Sequence, residues 1–338
     1  MPAHFGIDIT ESSIKVIEAK KDGDGYNLLA FGEAKTPYSL NSVNPDDEKI
    51  FSRTIEELLR QAKITTREVY ICLSESEVYT KVIQVPILNY QELKSAIKYE
   101  SEQYIPIPLN DVYLEFDILF SPPKQYPNAK MEVLLVAAKK NMVDKIVRIL
   151  EEIHLSPLVM ESSMLASLRA LSHQFGNNTI MVEIGNLATS CAIIIHGKLR
   201  QFTTLGIAGE ALTQAIVQNL SLSETQARAY KHAYGLKTNE LEGKIARAMT
   251  GPLNDITNQI SKNIRYAENL EKNVRIEQII LSGGTALLPE FTTYLVNQFN
   301  VEVQLANPFN NCHNKSLPKA LLSAAPRFVP AVGLAIRD

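Results

Sequence analysis

One loop pattern occurs twice in this chain, half a chain length apart. Near the start stands Gly6-Ile7-Asp8-Ile9-Thr10-Glu11-Ser12-Ser13-Ile14-Lys15, and later comes Val182-Glu183-Ile184-Gly185-Asn186-Leu187-Ala188-Thr189-Ser190. In each, an apolar strand leads into an acidic residue, a tight turn of small or hydroxyl residues, and a second strand. An acidic side chain can hold a hydrated cation while turn amides and hydroxyls donate to phosphate oxygens, so two such loops facing each other can grip a nucleoside triphosphate from both sides. Taken singly, each is an ordinary β-hairpin; the repetition is what points to two facing lobes.

The order of elements repeats with the loops. Strands are expected over Phe5 to Ile9, Ser13 to Ala19 and Tyr26 to Ala34, with Asp22-Gly23-Asp24-Gly25 as a turn. A helix follows Pro45-Asp46-Asp47, carrying Ile50, Thr54, Ile55, Leu58, Leu59 and Ala62 at helical spacing, and Val69 to Leu73 reads as a buried strand. From Thr179 the same order returns: a strand, a turn, Cys191 to Ile195, a turn at His196-Gly197, Lys198 to Leu205, and a helix from near Glu210. Strand, strand, strand, helix twice over indicates duplication.

Residues 83–155 interrupt this plan with a small α+β module. Asn89 and Glu92 form a capping-box start to a helix whose one face is Leu93, Ala96, Ile97 and Tyr104, and Ile105-Pro106 stops it. A strand over Tyr113 to Leu119, a proline-rich loop, a strand over Val133 to Ala138 and a helix capped by Asn141, with Ile146, Val147, Leu150 and Ile153 inward, complete the module. Further on, Ser223-Glu224-Thr225-Gln226 is a second capping box, and Gly251-Pro252 breaks the helical stretch before Leu253 to Leu270. The strand Gln278 to Ser282 then runs into Gly283-Gly284, where bare backbone admits a flat or charged ligand; paired glycines after a strand are also a common tight turn.

A chain of 338 residues buries roughly three quarters of its unfolded surface and needs no metal or disulfide staple. A net charge of −3, with no charged tail, argues against generic nucleic-acid binding and against docking on anionic lipid. Cys72, Cys191 and Cys312 form no C-x-x-C pair, and no run approaches the ~18 apolar residues of a membrane span. The start MPAHFGID lacks signal-peptide character and no amphipathic tail follows Ala331 to Asp338. A cytoplasmic location is expected, with the inner membrane reached only through a protein partner. The six histidines show no ligand spacing, so a histidine metal site is not expected.

Asp8 to Lys15, Glu183-Ile184-Gly185, Gly206 to Thr213, Ser282-Gly283-Gly284 and Pro330 to Ala335 together resemble the actin-like ATPase fold, ribonuclease H-like and shared by actin, bacterial chaperones and sugar kinases. Within it, Leu93 to Leu109 and Val133 to Lys140 resemble the inserted domain of the PilM family of type IV pilus assembly proteins. This resemblance implies ATP and Mg2+ in the interlobe cleft. Asp8, Ser12, Ser13 and Lys15 would form the first phosphate loop and Glu183 to Ser190, including Gly185, the second; Gly209 would approach the phosphates, with Lys231, Gly283 and Gly284 at the nucleoside. Magnesium would be held through water by Asp8, with Glu183 as a second carboxylate and the candidate catalytic residue.

It also implies a groove on the inserted domain for the N-terminal cytoplasmic peptide of a PilN-like membrane protein, with Tyr99, Glu100 and Tyr104 as contacts. On the residues alone, these tyrosines read first as half-buried packing residues and Glu100 as a solvated rim residue, ahead of any partner contact. Pilus motor ATPases and further copies of the chain are additional partners the resemblance allows. The domain plan is a first lobe of residues 1–82, 156–178 and 325–338, an inserted domain of 83–155, a second lobe of 179–215 and 276–324, and a helical subdomain of 216–275.

Three positions depart from the family pattern. Thr10 stands where a glycine is usual, Glu183 replaces an aspartate, and Arg228 replaces a glutamate that contacts ribose. They favour nucleotide binding over turnover, at most a slow ATPase. The competing readings are a small-molecule kinase of the same fold and a filament-forming relative of the division protein FtsA.

Overall fold

The computed structural model describes residues 3–42, 44–123, 130–270 and 274–338. From the N-terminus run β1 (His4–Ile9), β2 (Ser13–Asp22), β3 (Gly25–Lys35), α1 (Pro45–Ala62) and β4 (Glu68–Leu73). Next come β5 (Val78–Pro86), α2 (Tyr90–Ser101), β6 (Val112–Phe120), β7 (Lys130–Lys139), α3 (Lys140–Glu152), β8 (Ser156–Ser162) and α4 (Ser163–Leu171). The second half holds β9 (Asn178–Ile184), β10 (Thr189–Ile195), β11 (Lys198–Leu205), α5 (Gly209–Leu220), α6 (Glu224–Tyr234), α7 (Lys244–Ala248) and α8 (Thr250–Leu270). It closes with β12 (Gln278–Ser282), α9 (Phe291–Phe299), β13 (Glu302–Leu305), α10 (Lys319–Ser323) and α11 (Val329–Ala335).

The duplication is explicit in the sheets. The first has the order β3-β2-β1-β4-β8 and the second β11-β10-β9-β12-β13. In both, the first strand of the repeat pairs antiparallel with its hairpin partner and parallel with the strand on its other side. Every residue of β1 is buried, because a central strand covered on both faces has no solvent side. Helices α1 and α3 cover the outer face of the first sheet, where Phe51, Ile55, Ile146 and Leu150 pack with Phe5, Ile7 and Ile9. Helices α5 and α8 do the same for the second through Leu212, Ile216, Leu253 and Ile256. Between the sheets lie α4 and α11, whose Met164, Leu171, Val329 and Val332 join Met181, Ile194 and Ile280.

The third sheet, β5-β7-β6, is antiparallel throughout. Leu93 and Ile97 of α2 cover one face, against Ile83, Val85, Met131 and Val133. Val82 and Leu134 on its other face reach the interlobe cluster that holds Phe202 of β11. Arg200 of β11 grips Glu132 of β7 with two hydrogen bonds of 3.1 Å.

Both capping boxes form. Asn89 accepts from the amides of Gln91 and Glu92 while Glu92 accepts from the Asn89 amide, and Ser223 and Gln226 repeat the exchange. Asn141 is not a cap: α3 begins a residue earlier, behind Lys139, which makes no side-chain cap bond, and Ile149 rather than Val147 is buried. Tyr104 falls beyond the end of α2, in a turn closed by its amide to Ser101, and the buried residue there is Ile105. Gly251-Pro252 sits inside the first turn of α8, where proline's missing N–H costs nothing, and the break lies at Met249. Strands β5 and β8 had no expectation in the sequence. Residues 124–129 of the proline-rich loop lie outside the described residues. No helix of the described residues is long and apolar enough to cross a membrane.

Candidate functional site

The first loop is closed by its own hydroxyls. The Thr10 amide and hydroxyl both donate to the Ser13 carbonyl, at 3.0 and 2.9 Å, and the Ser13 amide donates back to the Thr10 hydroxyl. Thr10 is not among the left-handed residues of the chain, so this turn does not require the glycine usual there. At the end of β1, Asp8 stands opposite Lys15 in the β1–β2 ladder, and the two form a buried ion pair at 2.9 Å. The Cys72 thiol donates to the other Asp8 oxygen at 3.3 Å, and the same carboxylate helps burial push that thiol upward.

The second loop turns on Gly185, whose amide donates to Ala188 and whose carbonyl accepts from the Gly209 amide and the Thr285 hydroxyl. Gly283 ends β12 in a left-handed conformation, and a side chain there would fall 2.4 Å from the Ile184 carbonyl oxygen. Glycine is obligatory at that point, which seats β12 against the second loop.

These loops meet at one cavity of about 1010 Å³, at the upper end of small-molecule sites. Asp8, Ser12, Ser13, Lys15, Glu183, Gly185, Lys231, Gly283 and Gly284 all line it. Gly209 lies just behind the wall, where a Cβ would meet the Thr285 hydroxyl at 2.6 Å. Tyr99, Glu100 and Tyr104 lie on and after α2, apart from this cavity. Glu75, Ser163, Glu33, His232 and Arg327 also line the cleft and were not expected there. A usable signal existed for Glu75, since it follows β4 in the polar run Ser74-Glu75-Ser76-Glu77 and loops at the carboxyl ends of parallel strands line such crevices.

The cleft floor is rich in buried carboxylates. Burial pushes Glu75 up to about 7, although the Met164 amide donates to it at 3.0 Å. Burial likewise raises Glu183, with the Asp8 charge adding to the effect, while Ser163 and Ser167 donate to its two oxygens at 2.9 and 2.8 Å. Burial, followed by the neighbouring Arg228 charge, lowers Lys231 to about 8; its ammonium donates to the Gly209 carbonyl and the Thr213 hydroxyl. Arg228 is held by one nitrogen between Glu210 and Glu224, at 2.9 and 2.7 Å, and bridges α5 to α6.

With this geometry in place, the kinship of the chain can be read. The family described as Type IV pilus assembly protein PilM matches residues 6–338. The chain belongs to the PilM family. Among solved structures, the PilM-PilN type IV pilus biogenesis complex superposes with a TM-score of 0.85 at 25% identity, covering 99% of this chain and 98% of the other. MreB 5 of Spiroplasma citri bound to AMPPNP is similar in fold, with a TM-score of 0.52 at 10% identity over 98% and 94% of the two chains. The two-lobe architecture is thus actin-like, with an additional three-stranded module.

Curated relatives include the cell division protein FtsA. That of Staphylococcus epidermidis is 23% identical over 70% of this chain, which spans only 56% of the relative's length. The Bacillus subtilis protein is 24% identical over 90% of this chain and 78% of its own length.

Proposed function

We propose that this PilM-family protein is an assembly scaffold that holds ATP in the interlobe cleft and a PilN-type N-terminal peptide on its inserted module. The observation that carries the nucleotide half is the single cavity lined by both hairpin loops. The inserted module supports the peptide half: Tyr99 is 74% exposed and Tyr104 43% exposed beside the half-buried Glu100, so their rings are available to a partner. The solved complex of a PilM with PilN supports the identity of that partner. Residues 83–155, with the strand that begins at Val78, form the partner-binding part in this reading, and the membrane is reached through the partner.

The cleft fits magnesium as a hydrated ion rather than as a protein-caged one. Among the described residues no three His, Cys, Asp or Glu side chains converge on a metal position. Magnesium typically keeps several waters and binds through one or two carboxylates plus substrate phosphates. Asp8 and Glu183 retain lone pairs for such waters beyond those already engaged. The bound ion would offset the negative charge that the carboxylates present to a triphosphate. Lys15, Ser12 and Ser13 would donate to phosphate oxygens, and Gly284, where a Cβ would touch nothing within 4 Å, leaves room for the nucleoside.

The test is calorimetric titration with a synthetic peptide from the cytoplasmic start of a PilN-type protein, and separately with ATP and magnesium. Tyr104→Ala should weaken peptide binding about tenfold with nucleotide affinity unchanged, as for loss of an aromatic anchor. Asp8→Ala should abolish the magnesium dependence of ATP binding and leave the peptide bound. Equal loss of both ligands in either variant would refute separate sites.

A further inference from the structure

The chain crosses between the lobes through α4, leaving the first sheet at β8 and entering the second at β9. Glu183 lies one residue before the end of β9, on the strand face that carries Met181 toward the interlobe cluster. Its two carboxylate oxygens are divided between two serines of α4: Ser163 donates to Oε1 at 2.9 Å and Ser167 to Oε2 at 2.8 Å. The serines stand four residues apart and so share one face of the helix. Ser167 is fully buried, and Ser282, the ladder neighbour of Glu183 on β12, has a buried hydroxyl without a partner. Inside this interface the two serines are therefore the anchors of the carboxylate.

We propose that Glu183 is an interlobe latch, a positioning residue that pins the strand leading into the second loop to the helix joining the lobes, and so sets the separation of the two loops by protein contacts alone. Side-chain length is the specifying feature. Aspartate would keep the charge but fall short by one carbon–carbon bond, about 1.5 Å, and a hydrogen bond stretched that far is lost. Glutamine keeps the length and can still accept from one hydroxyl while donating to the other, since a serine oxygen does both.

The latch predicts an order of variants that charge alone would reverse. Amide hydrogen exchange of the intact protein without nucleotide, read over α4 and the end of β9, should be at least about tenfold faster in Glu183→Asp and in the double variant Ser163→Ala/Ser167→Ala. Glu183→Gln should stay within about threefold of the parent. The double serine variant leaves Glu183 in place and reports on the latch even where the aspartate variant folds poorly. An aspartate variant that exchanges like the parent, or a glutamine variant as fast as the serine pair, would overturn the proposal. Because no nucleotide is added, failure of ATP to bind the parent would refute the cleft's proposed ligand and leave this result standing.

Discussion

Replacing Gly333 with alanine tests the contact on which the relation of the lobes depends. Helix α11 lies between α4 on one side and β1 on the other. A Cβ on Gly333 would stand 1.9 Å from the Ala166 carbonyl oxygen and 2.5 Å from its carbon. The crossing would have to open by about 1 Å before the contact became tolerable. Moving α11 away is blocked, because Gly6 of β1 already meets it so closely that a side chain there would fall 2.5 Å from the Ala331 carbonyl oxygen. Overpacking costs roughly 1–3 kcal/mol, and blocked relief puts this case at or above the upper end. Alanine recovers about 1 kcal/mol of helix propensity, leaving a net loss of about 2–3 kcal/mol. For a chain of this size that is a fall in melting temperature of roughly 3–4 °C by far-UV circular dichroism. Gly206→Ala is the control, since nothing lies within 4 Å of its added Cβ. A Gly333→Ala protein melting within about 1 °C of the parent would refute the claim that this crossing is rigid.

Two further substitutions probe buried charge. Glu75 has its proton affinity raised by burial, so the folded state holds a proton that the unfolded chain has released; the stability this contributes is complete below the ordinary carboxylate range and lost as pH rises through about 7. Glu75→Gln keeps an acceptor for the Met164 amide and should be more stable than the parent at pH 8, by on the order of 3 kcal/mol, with little difference near pH 4; equal stability at pH 8 by urea titration would count against a buried ionised Glu75. Glu132→Ala removes the carboxylate that Arg200 grips across the boundary between β7 and β11, and should cost about 2–3 kcal/mol, with hydrogen exchange rising in β5, β6 and β7. An unchanged exchange rate there would mean that the module is held to the second lobe by its apolar contacts alone.

What could be read from the sequence is what local chemistry fixes. The two hairpins, the glycine-bearing turn at Gly23, and the helices begun by Asn89 and Ser223 depend on residues within a few positions of each other, and all form. Asn141 had the right residue type for a cap, but β7 runs directly into α3, and the chain enters the helix before Asn141. Tyr104 fitted the helical period; the helix ends at Ser101, and burial of Ile105 leaves the tyrosine outside. The pair Ser163 and Ser167 could not be read locally, and Glu75 could be read only as a polar loop residue after a parallel strand, since the bonds that define all three join positions 16 to 89 residues apart. Such contacts exist only once two sheets have stacked on a common helix.

The same stacking explains why two similar loops behave differently. In the first lobe the ladder neighbour of Asp8 is Lys15, so the carboxylate meets its counter-charge within its own hairpin. In the second lobe the corresponding neighbour of Glu183 is Ser190, whose hydroxyl is shared with Thr204 at 3.2 Å. A carboxylate there has no cation in its hairpin and must find donors elsewhere or stay protonated. The additional methylene of glutamate reaches those donors on α4, whereas an aspartate at the same point would face the cleft unpaired. Glutamate at position 183 and serine, rather than lysine, at position 190 therefore go together: the second loop has no ion pair with its ladder neighbour and is attached instead to the helix between the lobes.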